Sequence, residues 1–419
     1  MTTLTRKSLL GALLATAALA ALPAQAQQVK LADPASVGMS KEGLAGIDAA
    51  MHGLVDQGRL AGVTTLVARH GKVVHFDAYG AQDAGTKVPV ARDTIWRIAS
   101  MTKPVAGVAM MILFEEGKWK LDDPVAKHIP EFADLKVKGP DGTLVAQDHP
   151  MTMRELMSHT AGFDVSAGYA ADVTSRDANL QAMIDKLAKL PLATQPGSDW
   201  RYGPSVNIQG YVVEKLSGQP LDVFFQKRIF DPLKMTDTGF SVPASKLSRV
   251  SAIHSYDAAK KIIAIPTPND PSVKPVFLSA SGGLLSTTQD YWRFSQMLLN
   301  GGELDGARIL KPETVKLMRQ NVLKDGVLVD LYGPSMQGVG FGMDVAVILD
   351  PAKAQTPQGK DSYYWGGAFG TWFWIDPTND LVFVGMIQNL NGSVPGRDTP
   401  EVRSISYPLV YKALTDPKK

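Results

Sequence analysis

Two stretches of branched and aromatic residues stand far apart in the chain, and they constrain its fold more than any other feature. Between Gly62 and Gly80, "GVTTLVARHGKVVHFDAYG" reads as two strands joined at His70 and Gly71, a turn pair suited to a β-hairpin. Near the C-terminus, "TWFWID" and "LVFVGMIQ" flank the turn residues Pro377, Thr378 and Asn379 and read as a second hairpin. Helical signals lie between them. "TMRELMSH" opens with a Thr152–Glu155 capping box, "VNIQGYVVEKLSG" closes on Gly218, and "TQDYWRFSQMLLNGG" closes on Gly301. The expected plan is a sheet domain built from both ends of the chain, residues 27–120 and 270–419, interrupted by a mostly helical region, 121–269. No internal repeat or low-complexity tract breaks this pattern, and the Pro-rich passage from Ile265 to Val276 is short enough to be a connecting loop.

The first 26 residues differ from the rest. Arg6 and Lys7 precede an uncharged run from Ser8 to Leu22, followed by Pro23 and the small-residue pattern Ala24-Gln25-Ala26. This is the grammar of a secretory signal peptide cut before Gln27, and the apolar run is short for a bilayer span. A periplasmic or secreted protein with no membrane anchor after cleavage is expected. Of 43 basic and 41 acidic residues, the segment removes two basic ones, leaving 41 of each. A neutral chain lacks the cationic excess that nucleic acid or anionic lipid requires, so no nucleic-acid partner is expected. Cysteine is absent, which excludes disulfides and thiolate metal ligands. The seven histidines form no HExxH pair, so metal catalysis has no support and no cofactor is expected. Hydrolytic chemistry, if present, must be carried by ordinary side chains.

The stretch "RIASMTKPVAG" places Ser100 three residues ahead of Lys103. Apolar residues follow at helical spacing as far as Glu115, Glu116 and Gly117, which predicts a largely buried helix over residues 100–116 with Ser100 at its start. Pro104 is tolerated there because first-turn N–H groups have no intrahelical partner to lose. Ser100 and Lys103 then share one face, where free N–H groups can hold an oxyanion and the helix dipole disfavours a protonated lysine. A neutral amine beside a hydroxyl is a usable base. A serine at a helix start is also, in general, a simple N-cap, so the pair needs a third proton-handling group and a second oxyanion donor to carry chemistry.

Five segments, in order and spacing, supply the context: "RIASMTKPV", "TMRELMSHTAGF", "WRYGPSVNIQGYVVEKLSGQPL", "SASGGLLSTTQDYWRFSQMLLNGG" and "YYWGGAFGTWFWIDP". From about residue 35 onward, the chain resembles the serine hydrolases related to class C β-lactamases and D-alanyl-D-alanine carboxypeptidases. It looks most like the family VIII carboxylesterases. The resemblance implies an α+β, β-lactamase/transpeptidase-like fold: an antiparallel sheet flanked by terminal helices, with an inserted helical domain and the active site between them. It also implies that Ser100 is the acylated nucleophile, that Lys103 and Tyr202 relay its proton, and that the N–H groups of Ser100 and Ala368 form the oxyanion hole. Trp365, Gly366 and Gly367 match the third motif, on the strand lining the substrate. His159, in "SHTAG", has no chemical role in the family and reads as a helix-end residue satisfying local carbonyls. There is no G-x-S-x-G nucleophile elbow.

Two departures bear on substrate. Pro204 stands where the family's second motif usually has an amide-binding asparagine. Trp365 and Gly366 stand where β-lactamases and peptidases have a lysine for the substrate carboxylate, followed by a hydroxyl. Both losses point to neutral esters bound through apolar contact. The expected activity is cleavage of small carboxylic esters through a Ser100 acyl-enzyme. The rivals are a β-lactamase, a D-amino-acid peptidase or small-amide hydrolase of the same superfamily, and a non-catalytic penicillin-binding or cell-wall-binding relative. Tyr202 as a half-buried aromatic and Trp365 as a core strand residue remain open readings.

Overall fold

A computed structural model describes residues 29–166, 178–267, 269–331, 335–390 and 400–418. The expected signal segment, 1–26, lies outside them. Seven strands form one antiparallel sheet: β1 (Gly62–Arg69), β2 (Lys72–Gly80), β3 (Val339–Phe341), β4 (Ala346–Ile348), β5 (Tyr363–Gly366), β6 (Trp372–Asp376) and β7 (Leu381–Met386). Their spatial order is β3-β4-β5-β6-β7-β1-β2. Both hairpins form where the residue patterns place them. His70 and Gly71 take φ values of 50° and 71°, the left-handed pair that matches the twist of a two-residue hairpin. The N- and C-terminal hairpins then pair within the sheet, with Leu66 of β1 opposite Val384 of β7.

Helices cover both faces. α1 (Lys41–Asp56) packs on β1 and β2 and against the C-terminal helix α7 (Val402–Lys412), while α6 (Thr288–Leu299) lies against β1, β6 and β7. This double cover explains why β1 is buried at every residue, with no polar-out alternation. The segment 121–269 carries α3 (Met153–Met157), α4 (Leu180–Leu187) and α5 (Ser205–Ser217), together with two short two-stranded ladders. The Thr152–Glu155 capping box closes in both directions, and Gly218 ends α5 with φ 67°.

The helix after Ser100 differs in one respect. α2 spans Thr102–Glu115, and residues Ala99–Met101 form a tighter 3-10 turn ahead of it. Ala99, at φ 44°, reverses the chain into this turn, in a region where a Cβ is strained. α2 is buried from Thr102 to Leu113 and packs on α5, so one apolar core runs through both the sheet region and the inserted helices. No described helix is long and apolar enough to cross a membrane.

Candidate active site

Distant segments hold the 3-10 turn that carries Ser100. Ile98 N–H donates to the Leu284 carbonyl at 3.1 Å, Leu284 N–H to Thr102 Oγ1 at 3.2 Å, and the Tyr291 hydroxyl of α6 to the Met101 carbonyl at 2.9 Å. With both flanks tied down, the strained Ala99 is over-determined by its surroundings. Strain of this kind is tolerable where geometry matters.

Lys103 is 3 % exposed, and its Nζ lies 3.2 Å from Ser100 Oγ and 2.8 Å from the Ser281 carbonyl. Burial pushes this amine down to about 7, against the pull of the Asp344 charge, which acts to raise it. Near neutrality, a good fraction of Lys103 is therefore unprotonated. In that form it can accept the Ser100 proton while still donating to Ser281. Asn207 fixes the acceptor loop: its Oδ1 accepts the Ser281 N–H at 2.9 Å and the Ser279 hydroxyl at 3.1 Å. The nearest asparagine to the second motif thus serves the loop.

Tyr202 completes the group. Its ring lies 4.5 Å from Lys103 Nζ, and the Ser100 side chain is close enough to its hydroxyl to lower the phenol's ionisation. Burial pushes the phenol up to about 12, more than Ser100 and Trp365 lower it. The neutral phenol is the resting form, so Lys103 is the group suited to act as base and Tyr202 the group suited to pass a proton.

The third motif arrives on β5 and its following turn. A Cβ on Gly367 would collide with the Ile98 carbonyl and Thr371 Oγ1, so glycine lets this turn close on the Ser100 turn. Thr371 Oγ1 also donates to the Ile98 carbonyl, at 3.1 Å. Ala368 follows at an exposed position, and its N–H meets no acceptor among the described residues. Trp365 is only 4 % exposed, and its indole N–H donates to the Tyr202 hydroxyl at 3.3 Å. Its ring packs edge-on or tilted against Trp200, Tyr202 and Phe341. The contact it makes is therefore with the tyrosine, in keeping with the packed-strand reading of this residue. Gly366 is bounded by a cation, because a Cβ there would strike the Arg403 guanidinium of α7. The tryptophan motif thus has an arginine beside it, which the strand sequence does not reveal.

His159 departs from its expected duty. Neither ring nitrogen has a hydrogen-bond partner, and burial pushes the imidazole down to about 3, with Lys103 adding to the effect. The ring packs among Trp200, Tyr202 and Phe341, while the backbone carbonyl accepts the Arg201 N–H at 2.8 Å. It holds the Tyr202 segment in place through packing and backbone. Its side chain caps no carbonyl.

Asp344 was not legible as a site residue. It is fully buried at φ 61°, its Oδ1 accepts the Gln209 amide at 3.0 Å, and its Oδ2 is unpartnered. A Cβ on Gly107, one helical turn after Lys103, would lie 3.1 Å from that Oδ2. Burial drives its carboxyl well above the usual range, although Gln209 and Lys103 both lower it. Asp344 thus lies beside α2, one turn from Lys103, and acts to raise the lysine's ionisation.

A 430 Å³ cavity is bounded by Phe230, Asp237, Val242 and Lys246 and touches none of the groups above. Among the described residues, the one group of side chains close enough together to share a metal ion lies elsewhere, on α1 and β2.

Among curated proteins, the chain is 34% identical over 361 residues to an uncharacterized protein of Mycobacterium tuberculosis, covering 83% of this chain and 90% of that one. It is 30% identical over 408 residues to Esterase EstB of Burkholderia gladioli, covering 90% and 98% of the two chains. Among solved structures, EstCE1, described as a hydrolase with promiscuous acyltransferase activity, superposes with a TM-score of 0.74 at 28% identity, covering 87% of this chain and 99% of that one. The serine–lysine–tyrosine cluster thus sits in a fold shared with these proteins, and the match to the Beta-lactamase family over residues 47–405 shows that the chain belongs to that family.

Proposed function

We propose that this protein is a carboxylesterase acting through a Ser100 acyl-enzyme. The observation that carries the reading is the buried Lys103 amine, 3.2 Å from Ser100 Oγ and pushed down to about 7. The esterase relatives supply the reaction class. Neutral Lys103 accepts the Ser100 proton as Oγ attacks the ester carbonyl, and the N–H groups of Ser100 and Ala368 take the oxyanion. As the intermediate collapses, the C–O bond to the alcohol breaks, and Lys103 returns the proton to the leaving oxygen through Tyr202. Water then enters, gives its proton to the same relay, and releases the acid while Ser100 regains its hydrogen. Pro204 offers no side-chain amide to grip an amide substrate, which favours esters. Export of the mature chain, starting at Gln27, is part of this reading.

Ser100→Ala is expected to abolish turnover of chromogenic short-chain esters and labelling by a fluorophosphonate, with the unfolding midpoint little changed. Retained turnover would remove Ser100 from the mechanism. The substrate panel includes a chromogenic cephalosporin and, because Arg403 borders Gly366, an ester bearing a free carboxylate. Faster turnover of the cephalosporin than of any ester would overturn the esterase assignment.

A further inference from the structure

α1 and β2 bring two short sequence patterns face to face. Asp48 and His52 are four residues apart on α1, one above the other on a single helical face. His75 and Asp77 are two residues apart on β2, on a single face of the sheet. α1 packs over that face, and the four side chains converge. His52 Nε2 lies 2.8 Å from Asp77 Oδ2, and His75 Nε2 lies 3.6 Å from Asp48 Oδ1. One ligand atom from each of Asp48, His52 and Asp77 falls within 4.8 Å of the others.

We propose that Asp48, His52 and Asp77 form a binding site for a divalent transition-metal ion of the zinc class, clamping α1 to the edge strand β2. Three features support this beyond proximity. Imidazole nitrogen with two carboxylate oxygens is a donor set that suits zinc, and donors at about 2.0–2.2 Å from a tetrahedral ion stand roughly 3.4 Å apart, so small side-chain shifts close the cage. Asp48 Oδ1 is buried and has no hydrogen-bond partner, an orphan acceptor of the kind that a bound cation satisfies. The surroundings also hold the donors in place. His52 stacks on Tyr79 with ring centroids 3.7 Å apart, Tyr79 is itself anchored to Asp56 at 2.9 Å, and His75 is held by Thr65 Oγ1 at 2.8 Å. His75 stands behind the three ligands, its Nε2 3.6 Å from Asp48 Oδ1.

The site lies on the opposite side of the sheet from Ser100. Thr65 and His75 face α1, whereas the adjacent Thr64 bonds Thr288 of α6, the helix whose Tyr291 holds the Ser100 turn. The ion is therefore a structural clamp, separate from the reaction.

The test uses the full mature protein, stripped with a chelator and dialysed. Zinc added to the wild type is expected to bind with one-to-one stoichiometry in competition with a fluorescent zinc chelator and to raise the unfolding midpoint. Cobalt in its place is expected to give the visible absorption of a tetrahedral site. His52→Gln and Asp77→Asn are near-isosteric and should each weaken zinc by about tenfold or more, since loss of an outer partner alone costs that much. Both should keep wild-type ester turnover and the metal-free unfolding midpoint. Absence of stoichiometric zinc binding by the folded wild type, or His52→Gln and Asp77→Asn proteins that bind zinc as wild type does, would overturn the assignment.

Discussion

Replacing Lys103 with methionine should make the protein more stable while destroying its activity, and the size of the effect follows from the site. The lysine is 3 % exposed, with its ionisation lowered from 10.5 to about 7 by burial. In the unfolded chain the amine keeps its proton up to about pH 10, whereas in the folded protein it releases it near 7. Below pH 7 both states are protonated, and the full cost of burying the charge, about 5 kcal/mol, weighs on the folded state. Between 7 and 10.5 the unfolded state binds more protons, so wild-type stability rises with pH and the cost fades. Methionine keeps most of the stem volume and carries no charge. It also forfeits the bond to the Ser281 carbonyl, and leaving that acceptor unpaired costs about 1–3 kcal/mol. The net expectation is a variant more stable than wild type by about 2–4 kcal/mol at pH 6, with the advantage shrinking by about 3 kcal/mol by pH 9. Urea unfolding of both proteins at pH 6, 7.5 and 9 measures it directly. A stability difference that stays constant across that range would show that the Lys103 amine is not depressed, and the general-base argument would go with it.

The same ionisation governs turnover: kcat/KM for a neutral ester should fall about tenfold per pH unit below 7, and a flat acid limb would point to another base. Tyr202→Phe removes the relay hydroxyl and should cost about a hundredfold or more in kcat, whereas a loss below tenfold would leave Tyr202 a packing residue. Trp365→Phe keeps the buried ring and removes the donor to Tyr202, so kcat should drop about five- to tenfold with KM unchanged, and a rise in KM alone would instead make the indole a substrate contact. Protein recovered from the periplasm of an expressing bacterium should begin at Gln27 by mass spectrometry, and an intact Met1 there would refute cleavage.

Features governed by a few neighbouring residues were legible before any coordinates. The hairpin at His70 and Gly71, the Thr152–Glu155 capping box, the Gly218 helix stop and the spacing of Ser100 and Lys103 all depend on contacts within about four residues, where the sequence alone carries the physics. The α+β plan was also readable, because strand-rich ends can be paired with each other on the page as well as in space. Tertiary structure decided the electrostatics. Burial of α2 against α5 pushes the Lys103 amine down, while Asp344, far along the chain, folds in beside Gly107 and pulls it the other way. No local pattern announces that carboxylate, and none announces the Arg403 guanidinium against Gly366 or the Trp365 bond to Tyr202. Likewise, Asp48 with His52 and His75 with Asp77 are unremarkable pairs until a helix packs on a strand. Desolvation and charge proximity depend on which distant segments touch, and a linear sequence records only which residues are neighbours in the chain.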